Sequence, residues 1–260
     1  SLIDTYGGGA LLAEYFAAIP SRIICVCPMV LCDAMLADLS ASAPDDLLGG
    51  LGLAMYSIST HDDVVDERPE SRESVANLIY GGDIASLEGV ALLFAHGHGR
   101  VAQKVVSLMN LNHRFQTRIV SSLWSGPTDE AGYLMAIAHT GYWASIGTVA
   151  AAAHIDRLDD LEHFAVRFGQ NYGRMCQIYD DIREIDDDRR NGYFSLPISA
   201  ALANNYNLDD PRDRLRAITR PRALAAEAFE GLRVSCRDRF PRLLGLAQRM
   251  HEVGQRLSTL

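Results

Sequence analysis

The sequence consists largely of segments in which good helix formers carry apolar residues three and four positions apart. These segments are Ala10–Ala18, Leu47–Val65, Ala85–Phe94, Val101–Leu123, Tyr133–Ala153, Leu158–Ile185 and Ala223–Phe240. Alternating strand-like runs are scarce, and helix breakers fall between the segments, namely Pro44, Pro69, Gly81-Gly82, Gly126-Pro127, Asn191-Gly192, Pro197 and Pro211. The pattern therefore predicts an all-α protein.

The composition supports a packed core in one domain. Hydrophobic residues make up 48% of the 260 residues, which is enough to exclude global disorder. No internal repeat and no Ser/Gly-rich linker divides the chain, so we expect a single domain over residues 1–260.

Charge and cysteine content indicate a soluble intracellular protein. The formal net charge of −9 argues against a nucleic-acid partner. Five cysteines, an odd number, and a first segment without a signal-peptide pattern favour a reducing, cytoplasmic location. Between Glu130 and Asp156 no Asp, Glu, Lys or Arg occurs. We interpret this stretch as a buried core helix rather than a membrane span, so we do not expect an integral membrane protein.

Two acidic clusters follow mainly apolar helical segments. The first is His61-Asp62-Asp63-Val64-Val65-Asp66, and the second is Gln177-Ile178-Tyr179-Asp180-Asp181-Ile182-Arg183-Glu184. In each cluster the first and last carboxylates are four positions apart, so they project from the same face of a helix. A single cluster is also typical of a solvated acidic face, but here the pattern occurs twice at the end of an apolar segment.

Metal binding explains how such clusters are tolerated. Carboxylates that face each other in a partly buried site repel one another unless a cation or a proton compensates their charge. Mg²⁺ binds one or two carboxylates, keeps waters and shares substrate phosphate oxygens. Two carboxylate clusters at the mouth of an apolar helical cavity thus predict a metal-bridged diphosphate attached to an apolar tail.

The acidic clusters resemble those of the trans-isoprenyl diphosphate (polyprenyl) synthases, within the class I terpenoid synthase superfamily. His61–Asp66 followed by Arg72 is similar to the first aspartate-rich motif of that family, and residues 173–197 resemble its second motif region. The resemblance covers roughly residues 28 to 201. It implies an isoprenoid synthase-type helical bundle around a deep apolar cavity, and a homodimer.

The resemblance also implies roles for the acidic residues. Asp62, Asp66, Asp180 and Glu184 are expected to bind Mg²⁺, as three ions, and Asp63 and Asp181 are expected to support this metal cluster. All six are candidate catalytic residues.

The chain departs from the family at the basic residues that hold the acceptor, isopentenyl diphosphate. Aligned on Pro28, it has Ile24, Cys25 and Cys27 where those basic residues stand, and Arg22 lies nearby. An apolar residue does not replace a guanidinium fork on a diphosphate.

Smaller departures affect the same function. The paired arginines after the first motif are reduced to Ser71-Arg72, and His139 precedes Thr140 where the family has a lysine. The loop that follows the second motif is shortened.

The leading hypothesis is a Mg²⁺-dependent terpene synthase (cyclase) that ionises an allylic prenyl diphosphate of C10–C20 and releases diphosphate. Such an enzyme does not need to hold a second diphosphate, because the cation reacts with its own double bonds. The predicted substrate-binding residues are Arg72, His139, Thr140, Gln177, Tyr179, Arg189 and Arg190. His139 is also interpretable as a hydrogen-bonded core histidine, and Arg189 and Arg190 as part of a solvated face.

Two alternatives remain open. The first is a prenyltransferase, either a polyprenyl diphosphate synthase or an enzyme whose acceptor is not isopentenyl diphosphate. The second is a non-catalytic subunit of a prenyl synthase complex, which the six retained carboxylates disfavour. The sequence leaves open the substrate chain length and the product skeleton.

Overall fold

The computed structural model describes residues 23–66 and 72–257, with side chains from residue 27 onward except at 62–66, 72–74 and 117–121. No β-strand occurs in these two ranges, so the all-α prediction is confirmed. The helices are α1 (Ile23–Asp38), α2 (Asp45–Asp66), α3 (Arg72–Ala95), α4 (Gly99–Leu123), α5 (Glu130–Ala136), α6 (Ala138–His154), α7 (Leu158–Arg183), α8 (Ile185–Asn191), α9 (Leu196–Asn204), α10 (Pro211–Cys236) and α11 (Pro241–Leu257).

Helices α2 and α3 pack closely along their length. A Cβ atom at Gly82 would lie 2.1 Å from the Thr60 Oγ1 atom. The Gly81-Gly82 pair, predicted as a break, therefore lies inside α3. That prediction was wrong because the close approach of α2 outweighs the cost of a glycine in a helix, about 1 kcal/mol.

Helix α6 is the buried centre of the bundle and packs against α1, α4 and α7. Its Thr148 hydroxyl donates a hydrogen bond to the Ala165 carbonyl of α7 at 2.9 Å. At Gly169 of α7 an added Cβ would lie 2.2 Å from the Ser145 Oγ atom, so only glycine permits this helix spacing. The charge-free stretch around α6 is a core helix, as predicted.

One helix segment, Val75–Ala95 of α3, has the length and composition of a membrane span in the part of the chain that the structure describes. Only 22% of its most apolar window is buried inside the chain.

Two predicted helices are interrupted in the structure. The segment Tyr133–Ala153 divides at Ile137 into α5 and α6. There the Thr140 amide and hydroxyl both donate to the Ile137 carbonyl, at 3.2 and 2.7 Å, which forms a tight turn of the 3₁₀ type. The segment Leu158–Ile185 divides at Glu184, between α7 and α8.

The remaining helices surround α7. Helices α10 and α11 pack on α7, and α11 also contacts α1. Pro211, predicted as a breaker, occupies the first turn of α10, where its missing amide hydrogen has no helical partner to lose. This arrangement leaves the C-terminal end of α7, which carries the second acidic cluster, between α5 on one side and α11 on the other.

Candidate active site

The first acidic cluster lies at the C-terminal end of α2. It follows ten consecutive buried residues, 51–60, and the helical backbone extends through Asp66. The side chains of Asp62, Asp63, Asp66 and Arg72 lie outside the part of the structure that is described. Their assignment as metal and diphosphate ligands stays a prediction.

The second acidic cluster lies at the C-terminal end of α7. Asp180 and Asp181 belong to its last turn, and Glu184 is the residue that caps it. Met175, Ile178 and Ile182 of the same helix are buried, so one face anchors the helix while the acidic residues project beside it.

Asp181 is a buried carboxylate with both oxygens hydrogen-bonded. The Tyr133 hydroxyl of α5 donates to Asp181 Oδ2 at 2.5 Å, and Gln177 Nε2 donates to Oδ1 at 2.8 Å. Burial raises the pKa of Asp181 well above its ordinary value, and the nearby negative charge of Asp188 adds to this increase. The two hydrogen bonds oppose it. With both oxygens engaged, Asp181 is placed to orient the helix end.

Asp180 and Glu184 are the accessible carboxylates of the cluster. Their side chains are 45% and 44% exposed, and both accept hydrogen bonds from Arg183, at 2.5 Å in the case of Asp180. Burial, together with the charge of Glu184, raises the pKa of Asp180 to about 6, although Arg183 lowers it. Two carboxylates one helical turn apart therefore present hard oxygen atoms that a single guanidinium only partly neutralises.

These residues fit the metal that the sequence predicts. Mg²⁺ prefers oxygen ligands and needs only one or two carboxylates in addition to water and phosphate oxygens. Within residues 27–61, 75–116 and 122–257, no group of three or more His, Cys, Asp and Glu side chains is arranged to hold a metal ion. Asp180 and Glu184 would therefore supply one half of a site, and the other half stays a prediction at Asp62 and Asp66.

His139 and Thr140 lie at the start of α6 and bond to their own backbone. His139 Nδ1 pairs with the Ala136 carbonyl at 2.9 Å, and burial lowers the pKa of this histidine, which favours its neutral form. A Cβ at Gly173 would lie 2.3 Å from the Thr140 carbonyl oxygen, so this turn packs directly on α7, one helical turn before Gln177.

Three other candidate residues have partners outside the carboxylate cluster. The Tyr179 hydroxyl pairs with His251 Nδ1 of α11 at 2.8 Å. Arg189 donates to Asp209 at 2.9 Å, and Arg190 pairs with Asp187 on an exposed surface. Their roles as substrate-binding residues stay predictions.

Sequence inspection missed two residues of this site. Tyr133 is 48 positions from Asp181, and no local pattern links the two residues. Arg183 stands inside the acidic motif, but its double contact with Asp180 and Glu184 depends on the helix ending at that point.

An open apolar cleft of about 250 Å³ lies on the α1 and α11 side of α7. Cys27 lines this cleft together with Tyr172 and Cys176. Cys176 precedes Asp180 by one helical turn, so the cleft lies beside the acidic end of α7.

The fold is similar to that of solved prenyl diphosphate synthases. A decaprenyl diphosphate synthase from Rhodobacter capsulatus matches with a TM-score of 0.68 and 18% identity over 88% of this chain and 85% of that one. The geranylgeranyl pyrophosphate synthetase from the archaeon Geoglobus acetivorans matches with a TM-score of 0.66 and 18% identity over 92% of this chain and 90% of that one. The octaprenyl pyrophosphate synthase from Helicobacter pylori matches with a TM-score of 0.66 and 17% identity over 96% of this chain and 97% of that one.

No protein-family model matches the sequence. The structural matches extend over most of the described chain, and the isoprenoid synthase-type helical bundle that the sequence predicts is confirmed. At these identities the likeness establishes the fold alone.

Proposed function

We propose that the protein is a Mg²⁺-dependent class I isoprenoid synthase, which ionises an allylic prenyl diphosphate of C10–C20 and releases diphosphate. The observation that carries this proposal is the pair Asp180 and Glu184, half-exposed at the acidic end of α7 in a polyprenyl synthase fold. Bound Mg²⁺ would neutralise the diphosphate as the allylic carbon–oxygen bond breaks.

Different residues of the chain would bind the metal ions, contact the diphosphate and exclude water. Asp62, Asp66, Asp180 and Glu184 would hold the metal ions, and Arg72 would contact the diphosphate. The buried residues 51–60 before the first motif would keep water away from the cation.

Two neutral hydrogen-bond donors would position the second acidic motif. Tyr133 and Gln177 hold Asp181 from opposite oxygens and so fix the rotation of the last turn of α7. His139, neutral and bonded to its own backbone, would line the pocket rather than bind diphosphate as a cation.

The fate of the cation separates the remaining alternatives. In a terpene synthase the cation reacts with double bonds of its own tail, and in a prenyltransferase it reacts with an acceptor. The apolar lining around Cys27 favours a terpene synthase, or a prenyltransferase whose acceptor carries no diphosphate, because a cleft without a guanidinium at that position holds a second diphosphate poorly.

Incubation with geranyl, farnesyl and geranylgeranyl diphosphates and Mg²⁺ tests the proposal, with released diphosphate and organic products both measured. We expect diphosphate release that stops on chelation, and a loss of roughly a hundredfold or more in Glu184→Gln. Glu230→Gln is the matched control, because Glu230 pairs with Arg233 on the exposed surface of α10. Absence of diphosphate release from all three substrates would instead support the non-catalytic subunit.

We also propose that the protein is a homodimer that buries the outer face of α3. Tyr80, Ile84, Leu87 and Phe94 recur on one face of this helix, and all are more than half exposed in the single chain. A second copy of this chain, rather than a lipid surface, would cover this stripe. Light scattering should give a dimer for the wild type and a monomer for Leu87→Glu. A monomeric wild type contradicts this assignment.

A further inference from the structure

The cleft beside α7 is chemically unlike a diphosphate site. Leu31 of α1, Trp143 of α6 and Met250 of α11 form apolar walls. The cleft opens to solvent at Val30 and Val253, which are 40% and 41% exposed.

Its polar groups are neutral except at the mouth. The Tyr172 hydroxyl and the thiols of Cys27 and Cys176 are polar groups that line the interior. Burial raises the pKa of Cys27 to about 12 and that of Cys176 well above its ordinary value, so both thiols stay protonated. The one charged side chain among the lining residues is Arg249, which is exposed. An uncharged occupant therefore matches the interior of the cleft.

The size and lining of the cleft favour an aromatic occupant. An apolar cavity of roughly 150 Å³ holds a benzene molecule, so about 250 Å³ accommodates a bicyclic ring of roughly ten non-hydrogen atoms. The aromatic side chains of Trp143 and Tyr172 line the cleft, and the sulfur atoms of Met250 and the two cysteines make favourable contacts with aromatic rings.

The position of the cleft connects it to the acidic site. Cys176 precedes Asp180 by one helical turn, about 5–6 Å along α7. The negative charge of Asp180 is close enough to raise the pKa of the Cys176 thiol further. An occupant of the cleft would thus lie beside the place where the allylic carbon is released, and it would enter from the α1 and α11 side.

We propose that this cleft binds an uncharged, electron-rich aromatic acceptor of the indole or phenol class, onto which the allylic group is transferred. The inference rests on the proposed ionisation of an allylic diphosphate. The allylic carbon–oxygen bond breaks and its electron pair leaves with the diphosphate. A π electron pair of the acceptor then forms the new carbon–carbon bond, and the proton on the attacked ring carbon passes to the diphosphate.

Binding of indole to the full-length protein gives the first test, and it needs no turnover. Val253→Trp narrows the mouth of the cleft from α11, whereas Val234→Trp adds the same ring at a position on α10 that is 47% exposed and does not line the cleft. By calorimetry we expect indole to bind the wild type and Val234→Trp equally, and Val253→Trp at least tenfold more weakly. Absence of binding, or equal binding by all three proteins, overturns the proposal.

Turnover gives the second test, with farnesyl diphosphate, Mg²⁺ and indole. We expect prenylated indole from the wild type, and an acceptor KM raised at least tenfold in Val253→Trp. Elongation with isopentenyl diphosphate, or a hydrocarbon product that indole does not divert, overturns the proposal while the proposed ionisation stands. Failure to release diphosphate at all contradicts the proposed function instead, and the binding of indole then still decides whether the cleft is an aromatic site.

Discussion

Replacement of Tyr133 by Phe tests how the second acidic motif is held. The change removes one hydroxyl and keeps the ring, which is fully buried between α5 and α7. The lost hydrogen bond is 2.5 Å long and ends on a carboxylate that is only 4% exposed. Gln177 remains as the second donor to Asp181, so the carboxylate loses one of its two hydrogen-bond donors rather than both.

The expected loss follows from the burial of the acceptor. A hydrogen bond contributes about 0.5–1.5 kcal/mol net, and a buried polar group that loses its partner costs about 1–3 kcal/mol, so we expect Tyr133→Phe to lower the free energy of unfolding by about 2 kcal/mol. For a chain of this size that corresponds to a decrease in Tm of roughly 4–8 °C.

The pH dependence has a definite sign. The pKa of Asp181 is raised in the folded protein, so its contribution to stability is present at low pH and is lost as the pH rises through the folded-state pKa. The Tyr133 hydroxyl lowers that pKa, and its removal raises it further. The difference in stability between wild type and variant should therefore widen with increasing pH.

Chemical denaturation of Tyr133→Phe, Asp181→Asn and the double variant measures the coupling directly. Tyr206→Phe, at a half-buried tyrosine between α9 and α10, controls for the loss of a hydroxyl elsewhere. Additivity of the two single changes to within about 0.3–0.5 kcal/mol would refute the reasoning, because independent sites behave in that way.

Three further predictions concern the same bundle. Arg183→Leu removes the guanidinium that competes with a metal ion for the Asp180 carboxylate, so calorimetry in the absence of diphosphate should show tighter Mn²⁺ binding by the variant. Weaker Mn²⁺ binding would show that Arg183 supports the metal site instead. Gly169→Ala should destabilise the protein by at least about 2 kcal/mol in denaturation, because its Cβ would lie 2.2 Å from the Ser145 Oγ atom, whereas Gly245→Ala, with open space around it, should not. Burial lowers the pKa of His139, so on acidification below about pH 6.5 the unfolded chain takes up a proton before the folded protein does, and the free energy of unfolding falls. His139→Gln should make this fall with pH shallower, and an unchanged dependence of the free energy of unfolding on pH would contradict the prediction.

Local pattern was sufficient to predict the helices that carry the acidic motifs. The segment Leu47–Val65 corresponds to α2 within two residues, and the end of the segment that begins at Leu158 differs from the end of α7 by two. In both helices apolar residues recur at the helical period, so no distant residue is needed to specify them.

Some helix breaks and close helix contacts were not predicted by the local pattern. Gly81-Gly82 is a strong local breaker, yet it lies inside α3 because α2 packs against it. Ile137 is a good core residue inside an apolar stretch, yet the helix divides there where side chains bond back to the carbonyls. The position of Gly82 inside a helix depends on a neighbouring helix, whereas the division at Ile137 is accompanied by hydrogen bonds between residues three positions apart.

From its residues alone, the chain is specified as an all-α bundle with two acidic helix ends, since residue type and helical period are local properties. Only the tertiary structure decided that Tyr133 holds Asp181, that Arg183 bridges Asp180 and Glu184, and that Cys27 faces an open apolar cleft. Each of these depends on which helices become neighbours and where each one ends, and that is determined by the burial of whole faces rather than by any short stretch of sequence.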